Sequence, residues 1–215
     1  MTLSNILITG STGGLGSNLA HYYANKGHEL ILHGRDEKKL REIVEKINKN
    51  RKCASFFLAD LNSETDINKL CEYAKKKNVK YLINNAGITC PNLPLCDIDC
   101  KTIDSMIYVN LIAPIKITKK LINILDQVIN INSMVGIEAK KNRTLYAASK
   151  WGLKGFSDSL KLESNKCRIL DVYPTNIKTW PDRENAMDIE FVLDKISNAV
   201  ETGESELILD GRKKS

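Results

Sequence analysis

Tyr146-Ala-Ala-Ser-Lys150, with Ser133 upstream, is the stretch whose residue types and spacing could do chemistry. Side chains four apart on a helix lie on one face, one turn above the other. A helix here therefore sets the Lys150 ammonium beside the Tyr146 phenol. A neighbouring cation favours the phenolate and lowers a pKa that is otherwise about 10. Such a pair can give or take a proton near neutral pH, which reducing a carbonyl or oxidising an alcohol requires. On its own the Y-x-x-x-K spacing is common on amphipathic helices, so the surrounding elements must decide whether it is a site.

Those elements alternate from end to end. Short apolar runs over residues 5–9, 29–33, 54–58, 81–84, 128–132, 168–172 and 206–209 read as strands. Helical periodicity occupies 15–25, 37–50, 64–77, 101–125, 145–165 and 189–201, with Asp36 and Ser63 placed as N-caps. Buried strands alternating with helices imply a parallel sheet covered on both faces. Right-handed crossovers make it a doubly wound α/β sheet, a Rossmann fold. With no repeat, low-complexity segment or linker, residues 1–215 are expected to form a single domain.

Bulk composition narrows the function classes. Hydrophobic residues are 42% and charged residues 27% of the chain, ordinary for a globular protein. No apolar run reaches the roughly 18 residues a membrane helix needs, and residues 1–9 enter a strand without a charged leader or cleavage site. Six cysteines (Cys53, Cys71, Cys90, Cys96, Cys100, Cys167) show no C-x-x-C spacing, and no histidine lies near the Cys90–Cys96–Cys100 cluster. The expectation is free thiols in a reducing cytoplasm and no metal site. The net charge of +6 comes from short lysine runs read as solvated faces, without the aromatic interleaving of a nucleic-acid surface.

The first strand-to-helix turn reads Thr9-Gly10-Ser11-Thr12-Gly13-Gly14-Leu15-Gly16. Glycines there allow a tight turn and let backbone N–H groups at the helix start approach a pyrophosphate. The spacing is G-x-x-x-G-x-G rather than G-x-G-x-x-G. The second strand ends His33-Gly34-Arg35-Asp36, with Gly34 where an NAD site usually has an acidic residue for the ribose 2′-OH. A small residue followed by a guanidinium accommodates a 2′-phosphate, so NADP(H) is favoured, with NAD(H) the alternative. The competing reading of Arg35 is a surface arginine at a helix start.

Taken in order, these motifs resemble the compact, single-domain short-chain dehydrogenase/reductase family over essentially the whole chain. Gly10, Gly14 and Gly16, with Ser11, Thr12 and Leu15 between them, are similar to its cofactor turn. Asp60-Leu61 resembles the pair that holds adenine, and Asn84-Asn85-Ala86-Gly87 the family's N-N-A-G. Asn110, Ser133, Tyr146 and Lys150 match its catalytic tetrad. The resemblance implies that Tyr146 exchanges the proton, that Ser133 polarises the carbonyl, and that Lys150 tunes Tyr146 and binds the nicotinamide ribose. It also implies that Asn110 holds a water in a proton relay, and that Pro174, Ile177 and Thr179 meet the nicotinamide. A homodimer or homotetramer built on the helices at 101–125 and 145–165 follows from the same resemblance.

Two departures stand out. Thr175 occupies the place of a glycine after Pro174, and a β-branched residue resists positive φ, so the turn should differ in backbone conformation. Between Thr179 and the helix at 189 only Trp180 to Asp188 remain, where the resemblance leads one to expect one or two lid helices. Trp180 is read as a packing residue. An open cleft suits a large or carrier-tethered substrate. The expected activity is ketone–alcohol interconversion, on a 3-oxoacyl thioester or a nucleotide-linked keto-sugar. A non-catalytic dinucleotide-binding regulator or scaffold is the alternative.

Overall fold

Ile6 and Ile8 face one way from the first strand and Leu7 the other, and all three are fully buried. A strand with no wet face needs helices on both sides, and the computed structural model supplies them. It describes residues 3–179 and 186–212; the sequence reading of Trp180 as packing lies outside these.

The strands are β1 (Asn5–Ile8), β2 (Glu29–Gly34), β3 (Ala54–Leu58), β4 (Tyr81–Asn84), β5 (Gln127–Ile131), β6 (Arg168–Pro174) and β7 (Glu206–Leu209). They form one sheet in the order β3-β2-β1-β4-β5-β6-β7, and every pairing is parallel. The helices are α1 (Gly14–Asn25), α2 (Glu37–Asn48), α3 (Glu64–Lys76), α4 (Cys100–Ile107), α5 (Ala113–Leu121), α6 (Thr144–Glu163) and α7 (Ile189–Thr202). Leu19, Leu40 and Ile196, from α1, α2 and α7, pack with Ile6 and Ile8 on one face. Leu70 and Ile117, from α3 and α5, pack with Leu7 on the other. This is the doubly wound α/β architecture expected from the sequence. The strand order reverses between β1 and β4, and in such sheets the crevice beyond the strands' C-terminal ends at that point takes the ligand.

Local signals account for the helix boundaries. Asp36 and Ser63 cap α2 and α3, their side chains accepting from Lys39 N and Asp66 N. Gly203, at φ +78°, closes α7. One expected element is not continuous. The helix over 101–125 is divided into α4, a π-helical segment Tyr108–Ile112, and α5. A π turn inserts a residue into the α ladder and re-aims the side chains around it, and such turns gather at functional sites. Among the described residues, no helix is long and apolar enough to cross a membrane.

Candidate active site

The glycine turn is held by its neighbours before any ligand arrives. Gly10 has φ +67°, and a Cβ on it would fall 2.7 Å from the Ala86 Cα. The Thr9 hydroxyl accepts from Asn85 N and Ala86 N, each at 3.0 Å. The Asn85 amide donates to Thr9 O at 2.8 Å and Gly10 O at 3.1 Å. The N-N-A-G segment after β4 thus clamps the turn after β1. A Cβ on Gly14 would meet the Thr179 side chain at 2.5 Å, so the β6 exit lies against the same turn. Ser11 turns its hydroxyl back to Ile8 O at 2.8 Å.

His33 is a member of this assembly that the sequence reading passed over. Its Nδ1 accepts from Gly10 N at 3.2 Å and its Nε2 lies 3.1 Å from Ala59 O, linking β1, β2 and β3. That pattern needs the neutral ring with hydrogen on Nε2. Burial pushes its pKa down to about 4, which keeps it neutral. A histidine among apolar strand residues gave no local sign of this role.

A cavity of about 320 Å³ opens over the turn, lined by Gly10, Thr12, Gly14, Gly16, Arg35, Asp60, Leu61, Ala86 and Gly87. Gly34 is buried against Thr12, whose methyl would stand 2.9 Å from an added Cβ. Arg35 is exposed at the cavity's rim and, among the described residues, makes no ion pair. Asp36 has left it free by capping α2. The Asp60 carboxylate accepts from Asn62 N at 3.0 Å.

A second cavity, of about 610 Å³, adjoins the first through Leu15 and Gly87. Ser133, Tyr146, Pro174, Ile177 and Thr179 line it. Ser133 caps the short helical turn Met134–Gly136, and its hydroxyl stands close enough to pull on the Tyr146 phenol. Lys150 is buried, donates from Nζ to Ile131 O at 2.8 Å and lies 5.8 Å from the Tyr146 ring centre. Burial lowers its pKa to about 8.

The phenol departs from the sequence expectation. Tyr146 titrates above, not below, its ordinary value: burial raises it more than the Ser133 hydroxyl and the Arg143 charge lower it. Lys150, directed at a carbonyl and itself losing charge to burial, does not reverse the balance.

Asn110, in the π segment, is 1% exposed. Its Oδ1 accepts from Ile88 N at 2.8 Å, and its Nδ2 donates to Ile88 O at 2.9 Å and to Ser149 Oγ at 3.3 Å. The Ser149 hydroxyl in turn donates to Tyr146 O at 2.8 Å. Asn110 therefore ties the chain leaving β4 to the turn of α6 that bears Tyr146.

Thr175 adopts no positive φ; among described non-glycine residues only Asn78 and Asn142 do. Its N–H and hydroxyl both reach Leu209 O, at 2.9 and 3.3 Å, and its Oγ1 accepts from Gly211 N at 2.9 Å. The side chain that replaces glycine thus fastens the end of β6 to the end of β7. Beyond it, Ile177 and Met187 form a parallel bridge, with Lys178 N donating to Met187 O at 2.8 Å and Met187 N to Asn176 O at 2.9 Å. Cys53, Cys71 and Cys167 are buried free thiols. No group of three or more metal-ligating side chains occurs among the described residues.

A doubly wound sheet with a glycine cradle at its switch point, opening onto a Ser-Tyr-Lys cleft, is the frame of a dinucleotide-dependent oxidoreductase. The family model for short chain dehydrogenases matches residues 4–188, and the chain belongs to that family. It is 32% identical over 204 residues to the 3-oxoacyl-[acyl-carrier-protein] reductase of Rickettsia conorii, covering 91% of this chain and 82% of that one. A metagenomic short-chain oxidoreductase solved in complex with NADP is 27% identical, with TM-score 0.82 and 96% of both chains covered. The bulky-bulky ketone specific alcohol dehydrogenase of Comamonas testosteroni superposes with TM-score 0.90 over 97% of this chain and 86% of that one. At 24% identity that likeness speaks for the fold. The protein is an NAD(P)-dependent dehydrogenase or reductase.

Proposed function

We propose that the protein is an NADP(H)-dependent reductase of ketones, with Tyr146 as the proton donor. The observation that carries this reading is the Tyr146 phenol set beside Ser133 in the wall of the cleft, where burial raises its pKa further above neutrality. A protonated phenol is the form that gives a proton to a carbonyl oxygen. Ser133, beside it, donates its hydroxyl to the same oxygen and stabilises the charge developing there. The residues fit the cofactor: Gly10, Gly14 and Gly16 line the cavity, and a Cβ on them would collide with Ala86, Thr179 or Gly10 O, so the turn closes this tightly beneath the cavity only with glycine. When bound, the nicotinamide dinucleotide supplies the hydride.

Gly10, Ser11, Thr12, Gly14, Leu15 and Gly16 would cradle the pyrophosphate through backbone N–H groups. Asp60 and Leu61 would border the adenine, Asn85, Ala86 and Gly87 the adenosine ribose, and Pro174, Ile177 and Thr179 the nicotinamide. Lys150 would exchange Ile131 O for the ribose hydroxyls. Arg35, exposed and, among the described residues, without an acidic partner, supports a 2′-phosphate and so NADP(H) over NAD(H). Asn110 acts by holding the β4 exit to α6, with its side chain already committed; the water relay would run past it to Lys150. Substrate classes in keeping with the open cleft are 3-oxoacyl thioesters, on which the Rickettsia relative acts by name, and keto-sugars.

We read residues 1–215 as one domain of a cytoplasmic protein, in keeping with its free cysteines. Pairing of subunits through the helical stretch from α4 to α5 and through α6 is supported by exposed Trp151 and Leu162, which share a face of α6 with Gly155. A Cβ on Gly155 would meet nothing within 4 Å.

The test supplies NADPH with ketones, acyl thioesters and keto-sugars, to wild type and to Tyr146→Phe. Loss of turnover by roughly 10²-fold or more, with NADPH still bound, is expected. Undiminished turnover in the variant would refute the assigned donor. Arg35→Ala should weaken NADPH far more than NADH, and equal losses would overturn the cofactor preference.

A further inference from the structure

Arg143 stands immediately before α6, one turn ahead of Tyr146. Its guanidinium lies over the phenol ring, 5.1 Å from the ring centre, and it lines the cavity shared with Ser133. Stacking uses the flat face of the group but none of its in-plane N–H donors. Its Nε is buried, and among the described residues it has no hydrogen-bond partner and no carboxylate pairs with it. A buried N–H without an acceptor costs about 1–3 kcal/mol, so a stacking role alone leaves it unexplained.

The surrounding charges point the same way. Glu138 is the carboxylate in the cavity wall, and Arg212 holds it at 2.9 Å while also binding Asp210 at 2.7 Å. Among the described residues, Arg143 and the exposed Lys140 remain as uncompensated cations within the same wall. An Nε and its neighbouring Nη form a side-on fork that matches the two oxygens of an acid group.

We propose that Arg143 is a specificity-determining residue, and that the substrate is an oxo acid whose own carboxylate lies within a few bonds of the carbonyl being reduced. The inference rests on the reductase reading above and replaces its thioester and keto-sugar substrate classes with a free oxo acid. The phenol and the guanidinium stack, so a ligand whose carbonyl oxygen meets Tyr146 presents to Arg143 only the atoms next to that carbonyl. A carrier thioester, whose phosphate is many bonds from its ketone, does not supply an anion there. The carboxylate would pair with the Arg143 guanidinium while Tyr146 gives its proton to the carbonyl oxygen; bound NADPH would supply the hydride and leave as NADP⁺, so that the ketone becomes the hydroxy acid.

The test has a binding arm and a selectivity arm. Calorimetry measures malonate, an inert dicarboxylate, against the NADP⁺-saturated protein. NADPH oxidation compares acetoacetate with its methyl ester. Wild type should bind malonate and favour the free acid. Arg143→Gln should weaken malonate roughly ten- to a hundredfold and cut the acid-to-ester ratio by a similar factor. Arg143→Lys, which keeps the charge but not the fork, should fall between and serves alone if the glutamine variant does not fold. Equal malonate binding in wild type and variants, or an acid-to-ester ratio they leave unchanged, overturns the proposal while the reductase reading stands. If no carbonyl compound is turned over, the reductase reading fails and malonate binding alone decides whether Arg143 holds an acid group.

Discussion

Lys150→Met should make the protein more stable while removing the group proposed above to bind the nicotinamide ribose. The ammonium is 4% exposed and titrates near 8 rather than at its ordinary 10.5. Holding that charge at pH 7 costs the fold about 3 kcal/mol. Methionine fills similar space without charge, but it leaves the Ile131 carbonyl without the Nζ donor, which returns about 1 kcal/mol. The expected net gain at pH 7 is about 2 kcal/mol, or a rise of about 4–8 °C in Tm for a chain of this size. The pH dependence sharpens the test. Between 8 and 10.5 the unfolded wild type still holds a proton that the folded state has shed, so wild-type stability climbs through this window. The methionine variant lacks that climb. Urea unfolding at pH 7 and at pH 10.5 should therefore find the variant ahead at the lower pH and level with or behind wild type at the higher. A variant less stable at pH 7, or a difference that ignores pH, would refute the view that Lys150 is kept at the expense of stability.

His33 yields the matching acid-side effect. Its folded pKa of about 4 lies below the ordinary 6.5, so its contribution, about 3 kcal/mol, is complete above 6.5 and drains away as pH falls towards 4. Urea titrations should show a steeper loss in wild type than in His33→Gln, which keeps only the slope of the other lowered histidines, His21 and His28. Gly14→Ala drives a methyl into Thr179, so NADPH fluorescence titration should show affinity down about tenfold or more in a folded protein; unchanged affinity would mean that the β6 exit is not fixed against the turn. Asp171 is fully buried, accepts from Ser157 Oγ at 2.7 Å and pairs with Lys161 at 2.8 Å. Lys161→Met should cost about 3 kcal/mol in urea by stranding the carboxylate, and Asp171→Asn markedly less; the reverse order would count against a charged Asp171.

What was legible in the sequence was local. The strand–turn–helix around Gly10, the caps Asp36 and Ser63, and the one-turn spacing of Tyr146 and Lys150 all depend on residues close together in the chain. Continuous apolar runs sufficed for the strands, because both faces of the sheet are buried. The break in the helix over 101–125 was not legible, since a π turn adds one residue without disturbing an apolar pattern that is already dense. The rise in the Tyr146 pKa depends on how deeply the ring is buried, which spacing cannot report. His33 and Arg143 take their roles from Ala59 and Tyr146 only once the chain is folded. For Arg143 a signal was present, a cation three residues before the tyrosine, but nothing local showed that its Nε would be walled off from water.

The bridge between Ile177 and Met187 has a consequence for how this scaffold could be altered. Both ends of the excursion between them are pinned to each other by backbone hydrogen bonds, and Thr175 separately bolts β6 to β7. Closing a loop across anchored ends grows costlier only slowly with length, by about 0.6 kcal/mol per doubling. Helices could therefore be grafted between Ile177 and Met187, and swapped, while the seven strands and Tyr146 stay where they are.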